Sequence, residues 1–267
     1  ERRSLAAFFD HGDACIAGLR PLSTPQRPHE LGIFPRRAQD RDKSVRTLIV
    51  GDVHGCREEL EDLLEESGWE EDDHLVLVGD LVAKGPDSLG VIRLARRLGA
   101  RAVRGNHDQH CLKWWDARQA GDAPPKLRPA HQRVTEELEE EDWRWLAALP
   151  LWVELPEHNA LVVHAGLVAD LPLEEQDPYD LMNMRSILDD GSASRSYTEG
   201  TPWASLWPGP RLVVFGHDAV RGHQNHPHAV GLDTGCVYGG WLTGLWLPGR
   251  DLVSVPARAA YTQPGKD

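Results

Sequence analysis

Six side chains able to ligate a metal ion stand directly after apolar runs of this chain, each within two residues of a glycine. Asp52 and His54 lie in Gly51-Asp52-Val53-His54-Gly55, and Asp80 follows Gly79. Asn106 lies in Gly105-Asn106-His107-Asp108, His164 in His164-Ala165-Gly166 and His217 in Gly216-His217-Asp218. An Asp-x-His turn alone is an ordinary loop signature. The recurrence of a ligand-type side chain at the end of one apolar run after another is not what scattered acids and histidines produce. Two Asp, one Asn and three His offer mixed nitrogen and oxygen ligation without thiolate. That set suits Mn, Fe, Co or Zn better than Ca or a structural zinc. Glycine near each ligand permits positive φ and close approach to a common point. Asp80 is the carboxylate expected to bridge two ions.

The elements that must carry these residues follow from periodicity. The β-type run Thr47 to Val50 leads into a helical pattern over 57–67 that stops at Gly68. A strand from His74 to Val78 precedes a helix through Val91, Leu94 and Leu98, with Pro86 expected in its first turn. A short strand near Ala102-Val103 then reaches Asn106 and another helix. This β-turn-α rhythm predicts right-handed crossovers, largely parallel pairing and the α/β class. Residues 111–148, rich in Trp and charge and broken at Pro124-Pro125, read as a helical insertion. Strands are predicted at 151–155, 160–163, 212–215, 230–233, 241–247 and 252–255, the last two forming a hairpin across Gly249-Arg250. Residues 168–209 read as a partly helical cap.

Outside a domain expected at 46–256, residues 1–45 are expected to form an N-terminal arm, with a short helix over Leu5 to Ile16 before a Pro-rich, mildly basic stretch. The tail 257–267 carries no periodic signal and is expected to be poorly ordered. The length of 267 residues suffices for one α/β domain with insertions. A formal net charge of −13 disfavours tight, nonspecific nucleic-acid binding. It leaves room for a polyanionic substrate, because divalent cations reverse the local field. Four widely separated cysteines without a Cys-x-x-Cys pair fit reduced thiols, hence a cytoplasmic protein. No apolar run approaches the length of a membrane span.

The order of these motifs resembles the calcineurin-like metallophosphoesterases over roughly residues 46–255. Within that superfamily, GDLVAKGPDS at 79–88, GNHD at 105–108 and LDTGCVYGG at 232–240 resemble the symmetrical bis(5'-nucleosyl)-tetraphosphatases and the ApaH-like phosphatases. The resemblance implies a central β-sandwich flanked by helices, with a dimetal site at strand ends. It also implies two divalent ions, manganese first and Co, Fe or Zn as alternatives. Asp52, His54 and Asp80 would hold one ion; Asp80, Asn106, His164 and His217 would hold the other. Two ions sharing an activated hydroxide clamp the phosphate for in-line attack. His107 occupies the position from which the family protonates the departing oxygen, and Lys84 and Arg185 are the candidates for gripping phosphate oxygens.

Two departures from the family pattern stand out. Lys84 replaces the arginine of the protein phosphatases and bacterial tetraphosphatases. Ala83 replaces the Asp that orients the acid histidine in the protein phosphatases, which leaves open what orients His107. Tyr238 could stack on a nucleobase. The leading expectation is hydrolysis of diadenosine tetraphosphate to two ADP. A Ser/Thr phosphoprotein phosphatase, cleavage of the triphosphate bridge of capped RNA, polyphosphate hydrolysis and a noncatalytic metal-binding scaffold are the alternatives.

Overall fold

A computed structural model describes residues 45–265; the N-terminal arm and its expected helix lie outside the described residues. The chain opens with β1 (Thr47–Val50), α1 (Arg57–Ser67), β2 (His74–Leu77), α2 (Ser88–Arg97) and β3 (Arg101–Ala102). Three helices follow: α3 (Asn106–Ala120), α4 (Pro129–Glu137) and α5 (Glu140–Ala147). Then come β4 (Trp152–Leu155), β5 (Ala160–Val163), α6 (Pro178–Asn183), the short strands β6 (Ser186–Ile187), β7 (Ala193–Ser194) and β8 (Thr201–Pro202), and α7 (Trp203–Leu206). The last strands are β9 (Leu212–Phe215), β10 (Gln224–Asn225), β11 (Ala229–Gly231), β12 (Trp241–Leu247) and β13 (Asp251–Pro256).

Two five-stranded sheets, ordered β13-β12-β1-β2-β3 and β10-β11-β9-β5-β4, face one another. Alternation along the strands shows how. Ile49, Val76 and Val78 from the first sheet meet Val162, Leu212 and Val214 from the second in a core between the sheets. Their neighbours Leu48, Val50, Leu75 and Leu77 turn the other way, into a core shared with α1 to α5. On the far side, Leu161, Val163, Val213 and Phe215 pack under Leu181 of α6 and Trp203 of α7. Each central strand is therefore buried on both faces, so it reads as an unbroken apolar run rather than as alternation. This is a β-sandwich flanked by helices.

Pairing is mixed rather than largely parallel. β1, β2 and β3 are parallel, as the crossovers require, but β12 joins β1 antiparallel and β13 joins β12 antiparallel. In the second sheet β5, β9 and β11 are parallel and β4 and β10 antiparallel edges. Pro86 lies before α2 rather than in its first turn; the cap is Asp87, whose carboxylate accepts from the Gly90 N–H at 2.7 Å. The small sheet β7-β6-β8 inside 168–209 was not foreseen, since two-residue strands carry no period. The described part of the tail is pinned on α1, contrary to expectation. Arg258 pairs with Glu58 and Asp62, and its N–H together with the Tyr261 hydroxyl donates to the fully buried Glu59.

Candidate metal centre

Every parallel strand of the sandwich ends in a polar residue aimed at one place. Asp52 follows β1, Asp80 follows β2, Asn106 comes after β3, His164 directly follows β5, and His217 lies two residues beyond β9. The turns are tight enough that ligand residues themselves adopt left-handed backbone: φ is +46° at His54, +50° at Asp80 and +66° at His217. Ala83 and Lys84, both at +68°, continue the pattern. Non-glycine residues rarely occupy this region, and such strain collects at functional sites. The adjoining glycines mainly permit contact rather than positive φ. A Cβ on Gly216 would fall 1.9 Å from Asp52 Oδ1, and one on Gly105 would fall 2.1 Å from Asp80 Oδ1.

Hydrogen bonds fix which ring nitrogens face inward. His54 Nδ1 lies 3.2 Å from the Val82 carbonyl, His164 Nδ1 2.9 Å from the Val78 carbonyl and His217 Nε2 3.0 Å from the Asn183 carbonyl. A carbonyl can only accept, so each of these nitrogens carries the proton and the other presents a lone pair. Those lone pairs converge on oxygens. His164 Nε2 is 3.1 Å from Asn106 Oδ1 and 3.5 Å from Asp80 Oδ1; His217 Nδ1 is 3.0 Å from Asn106 Oδ1. His54 Nε2 is 3.4 Å from Asp80 Oδ2. Lys84 Nζ near His54 Nε2 and the backbone N–H of His107 on Asp80 Oδ1 are donors among these atoms; the other approaches set acceptor against acceptor, which a cation would satisfy. Imidazoles anchored through the far N–H to backbone carbonyls are the usual support for a ligating histidine. The donor set therefore fits divalent metal ions.

Two ligand groups share one carboxylate. His54, Asp80 and His107 offer atoms within 4.8 Å of one another, and so do Asp80, His164 and His217. Asp80 is common to both, with Oδ2 toward His54 and Oδ1 toward His164, which is the disposition a bridging ligand needs. Asp52 sits alongside; both its oxygens accept from the His217 N–H at 3.1 Å.

The electrostatics carry the same signature. Burial raises Asp52 well above the usual carboxylate range, with repulsion from Asp233 and Asp80 adding to it. Burial lifts Asp80 and Asp233 to about 6. Burial lowers His164 to about 4 and pushes His54 and His217 well below the ordinary histidine range, so these rings are neutral. Crowded carboxylates and neutral imidazoles are costly alone and favourable around a cation.

The remaining candidates lie around this centre. Lys84 is buried, with Nζ 3.3 Å from His54 Nε2 and 2.9 Å from the Tyr238 hydroxyl. Tyr238 thus engages the lysine through its hydroxyl. Arg185 donates to the His217 carbonyl at 3.1 Å and lies 3.6 Å from Asp218. His107 packs edge-on against His54, ring centroids 5.0 Å apart, and its Nδ1 is 2.8 Å from His131 Nε2.

Three residues escaped the sequence reading. Asp233 lies two residues beyond β11, after the same apolar-run, acid and glycine pattern as the others, so its signal was present. Asp108 is fully buried and accepts from the N–H groups of Leu81, Val82 and Gly105, tying the Asp80 turn to the start of α3. His131 sits in a helical pattern where nothing local marks it. Cys56, Cys111 and Cys236 are buried free thiols; Cys56 and Cys236 gather with Glu59, apart from the two groups that share Asp80.

Residues 45–228 match the family model of the calcineurin-like phosphoesterases. The chain belongs to that family. The phosphoesterase is 32% identical to the asymmetrical bis(5'-nucleosyl)-tetraphosphatase PrpE of Halalkalibacterium halodurans, over 79% of this chain and 93% of the relative. It is also 32% identical to the symmetrical bis(5'-nucleosyl)-tetraphosphatase of Aeromonas salmonicida, over 79% of this chain and 98% of the relative. A crystal structure of a protein provisionally assigned as a diadenosine tetraphosphatase is 42% identical, with a TM-score of 0.73, over 81% of this chain and 95% of that one. A protein serine/threonine phosphatase of Saccharomyces cerevisiae, 16% identical with a TM-score of 0.56 over 81% and 80% of the two chains, shares the fold alone. The phosphoesterase is accordingly a metal-dependent hydrolase. Among the described residues, no helix is long and apolar enough to cross a membrane.

Proposed function

We propose that the phosphoesterase hydrolyses a phosphoanhydride bond of dinucleoside polyphosphates, diadenosine tetraphosphate foremost. The observation that carries this is the pair of ligand groups sharing Asp80, with Lys84 beside them, in a chain whose relatives are named for that substrate. Asp52, His54 and Asp80 are the ligands to one divalent ion, and Asp80, Asn106, His164 and His217 to a second, manganese being the first candidate. Bound there, the ions neutralise phosphoryl oxygens and make water nucleophilic near neutral pH.

The chain's own groups do the rest. Lys84 supplies a point charge to a nonbridging oxygen, held in place by the Tyr238 hydroxyl. Arg185, anchored on the His217 carbonyl, supplies a planar donor to the next phosphate. His107 donates a proton to the departing phosphate oxygen. Residues from both sheets and from α3 meet at the phosphate, so the reacting group is held before any bond changes.

The test is product analysis with manganese-loaded protein, running diadenosine tetraphosphate, a phosphopeptide and a capped RNA in parallel. Nucleotide release from the dinucleotide is expected. Two ADP identify symmetrical cleavage; ATP with AMP identifies asymmetrical cleavage, since both descriptions occur among the relatives. Intact dinucleotide with phosphate released from the peptide contradicts the proposal.

A further inference from the structure

Both terminal nitrogens of Arg185 are tied to backbone. Nη1 donates to the Arg195 carbonyl and Nη2 to the His217 carbonyl, each at 3.1 Å. A guanidinium has two N–H groups on each terminal nitrogen, so one on each is left for a phosphate to take bidentately. The remaining nitrogen faces a carboxylate: Nε lies 3.6 Å from Asp218 Oδ1. Both atoms are buried, and neither has a hydrogen-bond partner among the described residues. The guanidinium is planar and rigid, so setting Nε against Asp218 also sets where the terminal N–H groups point.

Arg185 lies between α6 and β6, where strands of two residues fix the backbone only weakly. Arg221 adds the missing hold. Its Nη1 donates to the Arg185 carbonyl at 3.2 Å and to Asp218 Oδ2 at 2.5 Å. Its Nη2 donates to the Ser186 hydroxyl at 2.9 Å and to the Tyr197 carbonyl at 3.0 Å. Arg221 also closes the turn that follows His217, its own backbone N–H donating to the Asp218 carbonyl at 3.0 Å. One guanidinium therefore joins that turn to both ends of the segment 185–197. Asp218 divides its oxygens between two arginines, Oδ2 to Arg221 and Oδ1 toward Arg185.

We propose that Arg221 is the positioning residue for Arg185. Acting through Asp218 and the 185–197 backbone, it holds the Arg185 guanidinium against the turn that carries His217, where its remaining N–H groups meet the phosphate next to the one being cleaved. The inference rests on the phosphate-gripping role given to Arg185 above. It makes Arg221 a determinant of affinity for a phosphate chain rather than of the chemistry at phosphorus.

Steady-state kinetics of the manganese-loaded full chain with diadenosine tetraphosphate test this. Arg185→Met should raise KM roughly 10- to 100-fold, as loss of a charge-assisted hydrogen bond does, with kcat and manganese content unchanged. Arg221→Met should raise KM by a similar factor. The double variant should be no worse than either single one, because the second residue acts only through the first. Arg221→Lys keeps the charge and the stem but not the fork, and should recover only part of the loss. As the milder change, it carries the same cycle where Arg221→Met does not fold. Losses that multiply in the double variant overturn the positioning role, as does an unchanged KM in Arg221→Met beside an impaired Arg185→Met; both leave the role of Arg185 standing. Loss of manganese or of kcat in the Arg221 variants overturns it too, by making Arg221 a support of the metal centre. Unchanged KM in Arg185→Met contradicts the phosphate-gripping role itself.

Discussion

At the scale of single residues, the site is a set of acceptors held against one another. Asp80 faces a lone pair of His54 on one oxygen and of His164 on the other, and Asp52 is pressed against Gly216. A methyl group at position 216 would have to displace Asp52 Oδ1, 1.9 Å away, or Val78, 2.7 Å away. Gly216→Ala should therefore lower bound metal and activity together while the fold persists, as read by metal analysis and circular dichroism. His107→Asn should behave differently, keeping its metal and losing about 100-fold or more in kcat. Asp233 provides a sharper electrostatic check, because its charge adds to the burial that already raises Asp52. Asp233→Asn should raise the melting temperature of metal-free protein by removing that repulsion, and weaken metal binding. A lower metal-free melting temperature would show that Asp233 is needed structurally.

The ligands were legible because each ends an apolar run within two residues of a glycine, a pattern that local sequence carries whole. Asp233 also ends an apolar run, with Gly235 two residues on, so its signal is of the same kind. His131 and Asp108 could not be read in this way. One contacts His107 across a loop between helices, and the other works by accepting three backbone N–H groups from two separate turns.

At the scale of elements, strands buried on both faces announced themselves and short edges did not. β5 and β9 are unbroken apolar runs and β1 and β2 are apolar after their first residue, while β6, β7 and β8 contain two residues each and exist through their partners. The start of α2 shows the limit of a rule. Pro86 suits a first helical turn, yet left-handed Ala83 and Lys84 use the preceding residues to carry the lysine to the site, and Asp87 caps the helix instead. The tail was misjudged because its order comes from α1. Glu59 is fully buried, and one of its oxygens accepts from both the Arg258 N–H and the Tyr261 hydroxyl. Tyr261→Phe should cost about 1–3 kcal/mol in denaturant unfolding, the range for taking a partner from a buried polar group. No change would mean that the tail is not held through Glu59.

At the scale of the whole molecule, the centre joins the two sheets. Asp52 and Asp80 leave the first and His164 and His217 the second, so ions held by these residues would tie the sandwich together. Metal should raise the melting temperature by mass action, and the rise should depend on pH. The sign follows from protons. Carboxyls that stay protonated up to about 6 in the metal-free fold must release those protons to bind a cation, so lower pH opposes binding. The metal-free fold carries the opposite term from these groups. Their raised pKa means that the native state binds more protons than the unfolded chain between the ordinary carboxylate range and about 6, so their contribution falls as pH rises through that window. The gap between loaded and chelated protein should therefore be small near about pH 5 and widen toward about pH 7.5. A gap that narrows with pH would contradict it. A net charge of −13 adds a corollary: without cations at the centre, an anionic nucleotide should not bind.

The measurement that reaches the central claim most directly is anomalous diffraction from crystals grown with manganese. Two peaks flanking Asp80 are predicted, one contacted by Asp52 and His54, the other by Asn106, His164 and His217. A single peak that Asp80 does not touch, or no peak between the sheets' strand ends, would contradict the shared-carboxylate centre.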